Sequence, residues 1–135
     1  PLLKGNVRLL LNEQWRHDDI TWVGIDSAAS ERARLDLAFP ETPQAPAIVL
    51  WHEPDLVSML PPGCVLQISG HSHGGQFRFP GGFTPVYSDL GRRHPRGFYS
   101  NTLPPLYVSR GVGTTRLPTR FLCPPEVSLL TLRAA

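Results

Sequence analysis

The chain has 135 residues, a formal net charge of +2, 41% hydrophobic and 18% charged residues, which is the size and composition of one folded domain and excludes a disordered segment. The small net charge lacks the basic excess that nucleic-acid binding requires, and no continuous apolar stretch approaches the length of a bilayer span. Fifteen prolines, about twice the ordinary usage of roughly 5%, predict short strands and loops instead of long helices.

The opening stretch "PLLKGNVRLLLN" lacks the charged, apolar and small-residue regions of a signal peptide, so the expected location is cytoplasmic or membrane-peripheral. "VRLLL" at 7–11 and "ITWVGID" at 20–26 read as two adjacent strands joined by a turn over "NEQWRHDD". "SAASERARLDLAF" then predicts the main helix, with Ser27 or Ser30 as its N-cap and Pro40 as its stop. After the proline-bounded loop "ETPQAP", the apolar run "AIVLWH" predicts a buried strand that ends on His52.

"EPDLVSML" predicts a short helix with Pro54 in its first turn. "CVLQIS" is a second buried strand, and it runs out onto "GHSHGGQ", with His71 and His73. From Phe77 to Pro105 glycine, proline and arginine dominate, which predicts hairpins and long loops. "LYVSR" and "EVSLLTL" are the last strand candidates. Cys64 and Cys123 are too few for a disulfide framework and read as buried thiols.

If the two buried strands are neighbours in one sheet, their ends bring His52, His71 and His73 together. Neutral imidazoles at the mouth of a sheet suit Mn, Fe, Zn or Ni, and glycines beside them let the chain bend and leave room for an ion and its substrate. Strand ends of open sheets are where such sites are built. Asp55, three residues after His52, is placed to orient an imidazole. His17 and His94 fall in polar loop sequence and are expected in solvent. Arg92, Arg93 and Arg96 form a basic loop suited either to phosphate or to solvent.

"GHSHGGQ" at 70–76, "IVLWHEPD" at 48–55 and "YVSRGVGTTRLPTRFLCPPEVSLLTL" at 107–132, in this order, resemble three blocks of the calcineurin-like metallophosphoesterases, in particular the YaeI/YkuE-like phosphodiesterase subgroup. The resemblance implies a metal-dependent hydrolase of phosphomonoesters or phosphodiesters with two divalent ions about 3.5 to 4 Å apart. It assigns His52 and His71 to one ion and His73 to the other. Arg78, just after the histidine motif, and Arg110, at a strand end before two glycines, are by position and guanidinium chemistry the candidate substrate contacts. The resemblance also implies a phosphate-ester substrate, lipid- or envelope-linked in relatives.

The family's D-x-H, G-D-x-x-D and G-N-H-[DE] motifs are absent from these residues. The expectation is therefore an α/β fold, mostly β with one or two helices, that forms the C-terminal half of a four-layer α/β/β/α sandwich. Residues 1–135 would make a single partial domain, inactive without the missing motifs. Its uncovered sheet face would favour a homodimer or association with the missing N-terminal half. The alternative is a non-catalytic metal-binding or association domain.

Overall fold

The computed structural model describes residues 7–43, 45–85 and 88–133. Gln44 in the expected "ETPQAP" loop, and Val86 and Tyr87 in the expected glycine-rich loops, lie outside the described residues. One six-stranded sheet forms from β1 (Glu13–His17), β2 (Ile20–Ile25), β3 (Ala47–Trp51), β4 (Cys64–Ser69), β5 (Gly97–Tyr99) and β6 (Leu106–Val108), in the order β1-β2-β3-β4-β6-β5. The inner pairings β2–β3, β3–β4 and β4–β6 are parallel, and the two outer pairings are antiparallel. This is the expected α/β architecture, mostly sheet with little helix.

The first hairpin differs from the sequence reading. Residues 7–10 have no regular structure, whereas the polar stretch read as a turn contains β1, with Trp15 opposite Trp22 and only Asp18 and Asp19 between the strands. An edge strand keeps one side in water and needs no apolar run, so Glu13, Gln14 and Arg16 form it without an apolar signature. Leu10 instead crosses β2 at Gly24, where a Cβ would lie 2.3 Å from the Cβ of Leu10.

The expected helix over 27–39 is reduced to α1 (Leu35–Ala38), which begins at Arg34 without a side-chain cap. Local side-chain bonds win over helix here. The Ser27 hydroxyl donates to Glu53 Oε1 at 2.6 Å, and Asp26 Oδ1 accepts from the Ser27 amide. Asn12 Oδ1 accepts the amides of Asp26 and Arg34, and Glu31 is left-handed at φ +57. The expected short helix forms at Pro54–Met59 as a 3₁₀ helix, with the proline in its first turn.

One sheet face is the core. Val23, Ile25, Ala47, Val49 and Trp51 pack against Ala38 and against Leu35, Phe39, Leu56 and Leu60, and farther along Leu106 and Val108 pack on Val57. The strand register puts Trp22, Leu50, Ile68, Tyr107 and Phe98 on the opposite face. That face is open enough for Leu50 to be 39% and Phe98 63% exposed.

"EVSLLTL" forms no strand, with Val127 89% and Leu129 94% exposed. Its alternating pattern is a strand pattern, but it is tied to the fold through the Glu126 amide on the Gly111 carbonyl and through Tyr107, whose hydroxyl bonds to Glu126 and Ser128, and not through a strand ladder. Cys123 is buried and Cys64 half-buried, both as free thiols, and burial pushes the Cys64 thiol up to about 11. Among the described residues no helix is long and apolar enough to cross a membrane.

Candidate metal centre

Parallel pairing of β3 and β4 carries His52 and His71 to the same edge of the sheet. The two strand ends are held in register by polar groups beneath them. Ser69 Oγ donates to the Trp51 carbonyl at 2.6 Å, the Gln67 amide donates to Ser69 Oγ at 2.8 Å, and the Gly70 amide donates to the His52 carbonyl at 3.2 Å. The His52 and His71 rings meet edge to face with centroids 4.9 Å apart. His52, His71, His73 and Arg110 then line one cavity of about 170 Å³, with Ser109 and the glycines at 70, 111 and 113.

The imidazoles are prepared as lone-pair donors. His52 opens to solvent, yet desolvation by its neighbours, reinforced by His71, holds its pKa below the usual 6.5, so its neutral form prevails at pH 7. His71 Nε2 lies 2.6 Å from the Asp89 carbonyl oxygen. A carbonyl can only accept, so Nε2 carries the proton and Nδ1 keeps its lone pair. The longer 3.4 Å approach of His73 Nδ1 to the Gly113 carbonyl favours the opposite tautomer, with Nε2 free.

Gly74 and Gly75 let the chain bend, as expected, since both are left-handed at φ +65 and +83. They also admit protein side chains under the histidine loop: a Cβ on Gly74 would lie 2.5 Å from Arg110 Cγ and 2.8 Å from Cys123 Sγ, and one on Gly75 would lie 2.6 Å from Thr84 Cγ2. Gly70 lines the histidine cavity itself.

Several groups that set this geometry carry no sequence signal. Arg120 donates to the carbonyls of Arg110, Gly111, Gly113 and His73, tying the cavity wall to the histidine loop. Gln76, inside the histidine motif, bonds to residues 115 and 117. Asp55 orients an imidazole as expected, but it is that of His94, at 2.9 Å. It also accepts the amides of Arg93 and His94, which anchors the loop whose Asp89 carbonyl holds His71. His94 is therefore packed into the fold instead of solvated, with a side chain 18% exposed, while His17 is 61% exposed as expected.

Arg110 lines the cavity, but its guanidinium is bound to Glu126, with Nε to Oε2 at 2.8 Å. That contact holds the Glu126 carboxyl down to about 2. Arg78 does not line the histidine cavity; its amide bonds to the Phe121 carbonyl.

Among the described residues no group of three or more His, Cys, Asp or Glu side chains is arranged to hold a metal ion. The donors that line the cavity are imidazoles, and no carboxylate among the described residues lines it; Glu53 is bonded to Ser27 and Ala29, Asp55 to His94 and Glu126 to Arg110. The residues therefore fit part of a metal centre, its nitrogen ligands, and not the carboxylate part.

No family model and no solved structure matches the chain. Curated relatives do. The chain is 40% identical over 89 residues to the uncharacterized metallophosphoesterase YkuE of Bacillus subtilis, covering 65% of this chain and 31% of that protein. It is 32% identical over 116 residues to the uncharacterized protein YpbG of the same organism, covering 84% of this chain and 42% of YpbG. It is 34% identical over 127 residues to the UDP-2,3-diacylglucosamine pyrophosphatase LpxG of Chlamydia trachomatis, covering 84% of this chain and 37% of LpxG. The chain thus spans between 31% and 42% of the length of these relatives.

Proposed function

Since this chain belongs to the metallophosphoesterase family, with YkuE among its relatives, we propose that it supplies the imidazole half of a two-metal centre that hydrolyses phosphomonoesters or phosphodiesters. In this reading His52 and His71 hold one divalent ion and His73 the other, the ions being Mn, Fe, Zn or Ni. The metals, when bound, activate water and polarise the phosphoryl oxygens. This chain's own residues hold the nitrogen donors in place: Asp89 fixes the His71 tautomer, Arg120 fixes the backbone of His73, and Arg110 is held at the cavity wall by Glu126. The carboxylate ligands would come from outside the described residues.

The observation that carries the reading is the meeting of His52 and His71 at the ends of neighbouring parallel strands, 4.9 Å between ring centroids, with a lone pair left free on each. A relative named as a UDP-2,3-diacylglucosamine pyrophosphatase supports a lipid-linked phosphate ester as substrate. Elemental analysis of the purified 135-residue chain, beside hydrolysis of bis(p-nitrophenyl) phosphate with added Mn²⁺, tests the reading. One ion per chain and no turnover are expected. Two ions with turnover would mean that these residues complete the centre themselves, and absence of any metal uptake would leave a non-catalytic association domain.

The open sheet face supports association in either case. Leu50 and Phe98 are exposed on it and Trp22 and Ile68 are half-buried beside them, apolar groups of the kind that soluble monomers rarely gather on an open face. We expect the chain to self-associate, or to bind the remainder of its domain, through this face. Sedimentation velocity across a wide concentration range should show a rising mean sedimentation coefficient; a monodisperse monomer at the highest concentration would rule the association out.

A further inference from the structure

We infer that a second cavity beside the histidines, of about 240 Å³, is the pocket for one substituent of an anionic phosphate or phosphonate ester, and that Arg116 is the cation that binds it. The inference rests on the reading of the histidines as a phosphoester site. The cavity shares His71 and His73 with the smaller one; Phe77 and Leu117 give it an apolar wall, and Ser72, Gln76, Ser88, Thr115 and Arg116 are among its polar lining. A phosphorus centre held at the histidines therefore has an apolar recess on one side of it, with a guanidinium at its edge. That combination selects an ester with an aryl or acyl group next to its charge.

Three features single out Arg116. It lines the cavity and its guanidinium has no hydrogen bond or ion pair among the described residues, whereas Arg110, the arginine of the smaller cavity, is neutralised by Glu126. Its backbone is gripped on both sides by one side chain: Gln76 Nε2 donates to the carbonyls of Thr115 and Leu117 at 3.1 and 3.0 Å, while its Oε1 accepts the Thr115 amide at 2.8 Å. Between those anchors Arg116 is left-handed at φ +62, a conformation that glycine takes without strain and a long side chain does not. The Ser88 hydroxyl, on the same cavity, is buried without a hydrogen-bond partner among the described residues. A ligand oxygen would complete it.

Arg116→Gly separates this role from a structural one, because glycine relieves the backbone while removing the cation. The test is calorimetric titration of the chain with phenylphosphonate and with methylphosphonate, with and without Mn²⁺, beside thermal unfolding. The expected result is a roughly tenfold loss of phenylphosphonate affinity in Arg116→Gly with an unfolding temperature equal to or above that of the parent, and weaker binding of methylphosphonate by the parent. Unchanged phenylphosphonate affinity in the variant overturns the assignment of Arg116. Equal affinity for the two phosphonates overturns the apolar recess. If the chain takes up no Mn²⁺ but phenylphosphonate still depends on Arg116, the pocket stands and the two-metal reading fails.

Discussion

Replacing His71 by alanine is expected to weaken Mn²⁺ binding by more than about 100-fold, beyond the 10- to 100-fold range typical when only a residue behind a ligand is changed. The expectation follows from the tautomer. The Asp89 carbonyl accepts the Nε2–H hydrogen bond of His71 and so leaves the Nδ1 lone pair free, with the His52 ring, which burial keeps neutral, beside it. No other described side chain stands ready to replace it, since Glu53 and Asp55 are bound to Ser27 and His94.

Asp55→Asn should have the smaller effect, about tenfold, because Asp55 acts only through the loop that carries Asp89. Both variants can be followed by competition dialysis against a chelating dye. Protonation opposes binding, so affinity should fall as pH drops through the ordinary imidazole value of 6.5, and the lowered pKa of His52 lets that ligand persist to somewhat more acid conditions. Parent-like Mn²⁺ affinity in His71→Ala, with the solvated His17→Ala as control, would end the assignment of His71 as a ligand.

What the sequence reveals of this site is what strands and their ends encode. β3 and β4 are runs of aliphatic residues bounded by proline and glycine, so the positions of His52 and His71 follow from the chain itself. The edge strand β1 does not announce itself, because half of its surroundings are water. The segment 27–34 looks helical in propensity but is claimed by the carboxylate of Glu53, more than twenty residues away just past β3, which no local window contains. The same holds for the site's supports: Gln76 lies in the histidine motif, but its partners are about 40 residues away, and Arg120 reaches His73 across 47 positions. Arg78 and Arg110 are the arginines the sequence brings forward, yet Arg110 is bound to Glu126, and the arginine that lines the larger cavity beside the histidines is Arg116, which only the fold places there.

Glu53→Ala is expected to destabilise the fold by about 3 kcal/mol, the combined effect of a lost side chain in the interior and of buried donors left unpaired. Glu53 is fully buried next to His52. Its Oε1 accepts the Ser27 hydroxyl at 2.6 Å and the Ala29 amide at 3.2 Å, while Oε2 has no partner among the described residues. Burial alone would raise its pKa, but the bonds from Ser27 and from the amides of Ala29 and Ala28 outweigh burial and hold it below the usual 4.5. A depressed carboxyl contributes stability that is complete above its unfolded pKa and is lost as pH falls through the folded value. Urea unfolding of the parent should therefore lose stability below about pH 4.5, and Glu53→Gln should lose less over the same range.

The glutamine variant also tests the link to the metal site. The Glu53 charge raises the pKa of His52 against the lowering by burial and by His71, so its removal should push the His52 titration to still lower pH. Nuclear magnetic resonance of the imidazole reads that shift directly. A Glu53→Ala chain as stable as the parent would show that the 27–29 loop holds without its carboxylate. An unmoved His52 in Glu53→Gln would show that the buried charge is a structural anchor with no electrostatic reach into the cavity.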